Sequence, residues 1–471
     1  MKFFSTLLIG SLVLGSSLLA QTPNPPLVIL HVTVINPGTS SVEPDRAVTI
    51  IGNEIASVTD AARFQPTTQA RVIDGTHQFL IPGLWDMHVH SAFGDWFPGG
   101  RDIILPLFVA NGITGVRDMG GDVPVLFAWR NDIASGKLIG PRMVVSGPML
   151  DGYLPDGKNL RFPSTVPVTS IEEAVAAVDS LKAQHVDFIK TQSLISHDAY
   201  LAAATEAHKQ GLTFVGHVPD TVRISEAVAV GQKSIEHMMG SAAACSTVED
   251  RVIKGEIDTA TLLNSYDQQK CDQTIALLVK TQTWQVPTLV WERGGNLLDQ
   301  LDWKHQPLDR YVPAYWRNVT WRRFKEQMTP EFLKDPLPLR QREVALEFSL
   351  VKAMHRAGVP FLAGTDAAPG IYIMPGFSLH DEMANFVEAG FTPMEALQTA
   401  TSNPAHFLGR DDIGSVAPGR FADLVLLAAN PLDDIKNTKK INAVVINGKF
   451  LDRAALDQML LQVETAAKQQ K

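Results

Sequence analysis

The chain has 471 residues, 45% of them apolar and 19% charged, with a formal net charge of −9. That length supports a large core and more than one domain, and the balance excludes an intrinsically disordered chain. There is no basic run or stripe, which excludes nucleic acid as a partner.

Residues 1–20 stand apart. Lys2 is their only charge, an apolar run broken by serine and glycine extends from Phe3 to Leu19, and Ala20 is a small residue before Gln21. They read as a signal peptide, so the mature protein is expected in the periplasm or outside the cell; an uncleaved anchor is the alternative. Cleavage after Ala20 removes only Lys2 and takes the net charge to −10. No cysteine follows the run, and no later stretch is long and apolar enough to span a bilayer. The mature chain is therefore expected to carry no stable membrane anchor.

Strand-like alternation fills residues 27–60, where Val48–Ile51, Gly52-Asn53 and Glu54–Val58 predict a hairpin. The pattern returns near the other end, with a strand at Asp423–Leu427 and a second hairpin at Ala443–Leu451 turning on Asn447-Gly448. Segments 21–81 and 406–455 are thus expected to form one small β-sandwich domain built from both termini. Residues 456–471 read as a polar helical tail with frayed ends.

The middle, 82–405, has another rhythm. Predicted strands at Leu84–His90, Ile113–Met119, Arg142–Met149, Asp187–Thr191, Thr213–Val218, Ser234–His237, Gln285–Val290 and Phe361–Asp366 alternate with helical segments such as Ile171–Gln184, His197–Gln210 and Ile224–Gly231. The fold class is α/β, and eight such strands point to a (β/α)8 TIM barrel, with a doubly wound sheet as the alternative. Lys190, His217 and His237 follow one another at 27 and 20 residues, about one βα repeat each. The longer gap to Asp366 requires insertions at 239–281 and 292–345. The second, rich in Tyr311, Tyr315, Trp316 and Trp321, either covers the barrel mouth or packs as a surface excursion. Cys245 and Cys271 both fall in the first; whether they pair is open from sequence.

Trp85-Asp86-Met87-His88-Val89-His90 ends a strand in two histidines two residues apart, which places both imidazoles on one face. Such a pair can hold a borderline-soft cation. Lys190, His217, His237 and Asp366 each close a later predicted strand, the position where barrel enzymes carry their chemistry. A lysine at a strand end is usually solvated, but beside two divalent metals it can be held as a carbamate that bridges them. His31, His77, His185, His197, His208, His305, His355, His380 and His406 lie off the strand ends and are read as structural or solvated. Ser91, after His90, and Tyr153, with Asp156 on a loop after the third strand, are candidate substrate contacts. Arg117, Arg142 and Arg161 are candidate partners for a substrate carboxylate. Glu236 is expected to point away from His237 and is left out of the metal site.

These residues, with Asn403-Pro404-Ala405 and the Ile413–Leu424 segment, make the chain resemble the amidohydrolase superfamily over nearly all of its mature length. The closest resemblance is to the imidazolonepropionase-like branch of metal-dependent dipeptidases, prolidases and ochratoxin-type amidases. It implies two divalent metal ions, zinc being the expected pair. His88 and His90 would hold the more buried metal with Asp366, and His217 and His237 the more exposed one. Lys190, as N6-carboxylysine, would bridge them with a hydroxide, and Asp366 would be the catalytic acid/base. The implied reaction is hydrolysis of an amide C–N bond in a dipeptide or N-acyl amino acid. Hydrolysis of an ester, lactone, phosphotriester or cyclic amide by the same site is the alternative. The implied partner is a small-molecule substrate, and self-association into a homo-oligomer is a further expectation.

Overall fold

The computed structural model describes residues 25–65, 69–302, 306–368 and 370–470. The expected signal peptide lies outside the described residues.

Both ends of the chain enter one eight-stranded sheet. Its strands run in the order Lys449–Asp452, Ile441–Ile446, Leu424–Leu427, Phe79–Pro82, Leu27–Asn36, Ser41–Ile51 and Glu54–Asp60, with Arg71–Asp74 pairing off Leu27–Asn36. The join between the two ends is the antiparallel pair of Phe79–Pro82 with Leu424–Leu427. Ile29, Val32, Val34 and Leu80 from the first segment share a core with Leu424, Leu426 and Val445 from the second. The predicted hairpins are present. Asn447 and Gly448 both have positive φ, 49° and 73°, as a tight two-residue turn matching strand twist requires.

The middle of the chain carries parallel sheets. Leu84–Val89, Ile113–Asp118 and Arg142–Val145 form one; Thr165–Pro167, Met149–Asp151, Phe188–Thr191, Thr213–Gly216, Ser234–Glu236 and Trp284–Val286 form another. The Asp187 amide donates to Val145 O (2.9 Å), which links the two sheets. On the far side, Gln285 N donates to Pro360 O, Leu362 N to Gln285 O and Met87 N to Ala363 O, so segment 360–367 lies between the last strand and the first.

The structure departs from three expected elements. The strand expected at Arg142–Met149 is broken at Gly147, whose φ is +69° and whose Cβ, if present, would lie 2.7 Å from Val123 Cγ2. The strand expected at Gln285–Val290 ends at Val286, because Pro287 has no N–H to donate; a helix, Leu289–Asn296, follows at once. The polar tail is a docked helix, Arg453–Gln469, that buries Leu456, Val463 and Ala467 and packs against helix Arg101–Ala110.

The insertions are helical. Cys245 and Cys271 are disulfide-bonded, closing off the short helices Glu249–Ile253 and Thr259–Asn264. In the second insertion Tyr311 stacks on Phe377, Trp316 meets Phe97 and Trp321 meets Tyr372. All three are buried packing residues, so the packed-excursion reading holds for them.

Candidate metal centre

The residues singled out at strand ends meet in space. His88, His90 and Asp366 offer ligand atoms that all lie within 4.8 Å of one another. Asp366 Oδ1 is 3.4 Å from His88 Nε2 and 3.1 Å from His90 Nε2, while its Oδ2 is 3.8 Å from His237 Nε2. The His237 ring lies 4.7 Å from that of His88 and 4.8 Å from that of His217. His88, His90, Lys190, His237 and Asp366 are buried, and His217 is half-buried.

The four histidines are oriented alike. Nδ1 of His88 meets Glu236 Oε2 at 2.9 Å, that of His90 meets Gly120 O at 3.0 Å, that of His217 meets Ser193 Oγ at 2.7 Å and that of His237 meets Thr288 Oγ1 at 2.6 Å. The Thr288 and Ser193 hydroxyls donate onward, to Pro287 O and Gln192 Oε1, so each accepts from its histidine. Every Nδ1 therefore carries the proton and every Nε2 keeps its lone pair, the arrangement metal-binding imidazoles require.

That proton assignment makes the site a test of fit. The lone pairs of His88 and His90 Nε2 face Asp366 Oδ1, a buried oxygen with no hydrogen-bond partner. Three acceptors converging with no hydrogen between them repel one another, and a cation removes the repulsion. Lys190 Nζ is likewise buried without a partner. Burial lowers its pKa from 10.5 to about 8, which favours the neutral amine that carbamate formation needs. Burial also holds His88 and His217 well below 6.5 and His237 at about 4, so all three stay neutral near pH 7. The donor set of His88, His90 and Asp366 fits a divalent metal ion.

The backbone is shaped around the same residues. His237 and Asp366 have φ of 56° and 59°, a left-handed conformation unusual outside glycine and common at functional sites. Gly216, before His217, has φ +130°; a Cβ there would lie 2.3 Å from Thr191 O and 3.0 Å from Lys190 Cδ. Gly364 allows segment 360–367 to pass His88, because a Cβ would lie 2.8 Å from the His88 Cβ.

Glu236, read from sequence as pointing away from His237 and left out of the metal site, reaches His88 through that ring's Nδ1. It accepts from His88, from Arg117 Nη2 (2.9 and 3.0 Å) and from Ser234 Oγ (2.6 Å), with no exposure at all. Arg117 is thus buried under the ligands and unavailable to a substrate. Arg142 is also committed, its Nε 2.5 Å from Asp423 Oδ2. Sequence alternation missed Thr288 and Ser193 because both stand just past strand ends. The signal for Thr288 was the preceding Pro287.

A cavity of about 410 Å³ opens onto the ligands. Its walls include Phe93, Arg161, Phe162, Trp291, Glu292 and Glu347, with Met238 to Leu262 from the disulfide-closed insertion. Neither Ser91 nor Tyr153 lines it. Ser91 N donates to Asp118 Oδ2 (2.7 Å) and its Oγ is buried, while Tyr153 is 38% exposed. Asp156 instead caps its own loop through Lys158 N and Asn159 N.

The chain is similar to known proteins in sequence and in fold. Residues 321–451 match the amidohydrolase family. An ochratoxinase from Aspergillus niger is 23% identical over 482 aligned residues, covering 90% of this chain and 86% of that protein. Among solved structures, a putative prolidase from Bifidobacterium longum superposes with a TM-score of 0.65 at 23% identity, covering 94% of this chain and all of the other. A bottromycin amidohydrolase superposes with a TM-score of 0.71 at 22% identity, covering 93% and 90%.

Proposed function

We propose that this chain, a hydrolase carrying the amidohydrolase-family domain, is a binuclear metal enzyme that cleaves an amide C–N bond in a dipeptide or N-acyl amino acid. The observation that carries the reading is the convergence of unprotonated Nε2 atoms on a partnerless Asp366 oxygen, beside a partnerless buried lysine. The names of the similar proteins, a prolidase, an ochratoxinase and an amidohydrolase, favour an amide over an ester, lactone or phosphotriester.

In this reading the barrel is closed, with the hydrogen bonds of segment 360–367 to Gln285 and Met87 as support. The terminal sheet folds over its shared core as a sandwich. His88, His90 and Asp366 would hold one cation and His217 and His237 the other, with Lys190, once carboxylated, as a further oxygen ligand. Bound divalent metal, zinc in this proposal, supplies a Lewis acid and a lowered water pKa. The protein does the rest. Glu236, Gly120, Ser193 and Thr288 fix the imidazoles in one tautomer, which spares the site reorganisation during reaction. Asp366, held between the two histidine groups, takes a proton and delivers it to the departing amine nitrogen. Without that proton the amine is too poor a leaving group.

Export of the protein is part of the proposal. It rests on the pattern of residues 1–20, and the Cys245–Cys271 bond, suited to an oxidising compartment, supports it. Elemental analysis of protein purified without chelator is expected to give close to two metal equivalents. A matched panel is expected to contain an amide cleaved faster than its ester. A single equivalent that zinc and bicarbonate do not raise, or activity confined to esters and phosphotriesters, overturns the reading. N-terminal sequencing of secreted protein is expected to begin at Gln21.

A further inference from the structure

Thr288 caps the N-terminus of helix Leu289–Asn296. A threonine in that position usually turns its hydroxyl onto the first N–H groups of its own helix, which have no partner within the helix. Thr288 makes no such bond. Its Oγ1 instead accepts from His237 Nδ1 (2.6 Å) and donates to Pro287 O (2.8 Å). Its backbone lies at φ 47°, a conformation that a β-branched residue resists. Orienting His237 thus leaves the helix without its own cap and the capping residue strained.

Glu382, a buried carboxyl with no part in the metal chemistry, answers both deficits. It comes from a separate helix, Phe377–Glu388, and has no exposure. Its Oε1 accepts from Leu289 N (3.0 Å) and its Oε2 from Val290 N (2.7 Å), the two amides that follow Thr288. Burial pushes its pKa up to about 8, and these N–H groups act the other way. Even the neutral carboxyl keeps a carbonyl oxygen for one of them. Arg293 joins the same two helices through Asn385 Oδ1 (3.0 Å) and Glu388 Oε2 (2.9 Å), but Glu388 is exposed, and such pairs add little. Glu382's own helix is anchored by His380, which bridges Asn111 O (3.0 Å) and Thr438 Oγ1 (2.9 Å).

We infer that Glu382 is a positioning residue for the metal centre. By holding the Leu289 and Val290 amides it keeps Thr288 turned towards His237, and so keeps His237 Nε2 aimed at the cation. The inference rests on the binuclear reading above, in which His237 is a ligand.

A double-mutant cycle read by competitive zinc titration tests it, with Glu382→Gln, Thr288→Val and the two combined. Each single substitution is expected to weaken the binding of one zinc ion by about 10- to 100-fold, the usual effect of losing a partner that orients a metal-binding histidine. Both act through one hydroxyl, so the double variant is expected to stay within about threefold of the weaker single variant; losses that multiply overturn the inference. Arg293→Met loosens the same two helices without touching the amides. It is expected to lower the melting temperature of the chelated protein and to leave both zinc affinities within about threefold of wild type. A loss of affinity there equal to that of Glu382→Gln makes general helix packing the cause and overturns the inference. Should Glu382→Gln not fold, Glu382→Asp, which keeps the charge and withdraws it by one methylene, takes its place in the cycle with the same two outcomes. Two zinc equivalents in the wild type with multiplying losses leave the binuclear reading standing. A single equivalent overturns that reading and this inference with it.

Discussion

Glu236 is buried completely, and its carboxylate answers three donors at once: His88 Nδ1, Arg117 Nη2 and Ser234 Oγ. Glu236→Gln keeps the volume and one oxygen but turns an amide NH2 towards His88 or Arg117, both donors. It also leaves the Arg117 guanidinium without its counter-charge in a site with no exposure. Breaking a buried pair from one side costs about 3–5 kcal/mol, which in a chain this size lowers the melting temperature by roughly 3–5 °C. The loss of the His88 acceptor acts separately and is expected to weaken metal binding by about 10- to 100-fold. The two effects are separable. Adding Arg117→Met removes the stranded charge, so the double variant is expected to regain part of the lost stability while metal affinity stays low. Melting of chelated protein reads the first effect and a competitive zinc titration reads the second. If zinc affinity recovers together with stability in the double variant, Glu236 acts only by holding the fold, and its role as the partner that orients His88 is refuted.

Lys190 is expected to make the chelated protein pH-sensitive. It sits at about 8 when folded against 10.5 when unfolded, so the unfolded chain binds the extra proton between those values. Its contribution to stability should therefore rise by about 3 kcal/mol from pH 8 to 10.5, and urea midpoints of wild type minus Lys190→Met should show that slope; parallel curves would contradict it. Asp366→Asn is expected to reduce turnover by about two to four orders of magnitude and metal content by much less; equal losses would make Asp366 chiefly a ligand. Cys245→Ser with Cys271→Ser opens a loop with a sequence separation of 26 and is expected to cost about 3–4 kcal/mol by chain entropy. Because Glu249, Val252 and Leu262 of that loop line the cavity, KM should rise more than kcat falls.

The candidate ligands are legible because each is a distinctive residue type at the end of an apolar run, and strand ends on one face of a parallel sheet converge. Their supports were not. Glu236 and Arg117 belong to different strands, and only the assembled sheets bring them to His88. The period-two rule assigned Glu236 to the opposite face from His237, and it does lie there; His237, at φ 56°, has already left the strand. Ser91 and Tyr153 were chosen for nearness in sequence to a ligand or a loop, and the cavity opens on another side of them. Part of the cavity wall, from Ala242 to Leu262 and at Met328, comes instead from the insertions, whose helices carry no strand register to anchor a reading.

The sheet shared by the two ends has a consequence for synthesis. Strand Phe79–Pro82 meets its neighbour Leu424–Leu427 only after about 340 further residues have been made. At ~5–20 residues per second, its edge waits roughly 20 to 70 s for a partner. Every ligand from His88 to Asp366 leaves the ribosome before that partner does. The nascent chain thus completes its reactive centre while its opening strands still present an unpaired edge to any neighbour that reaches it first.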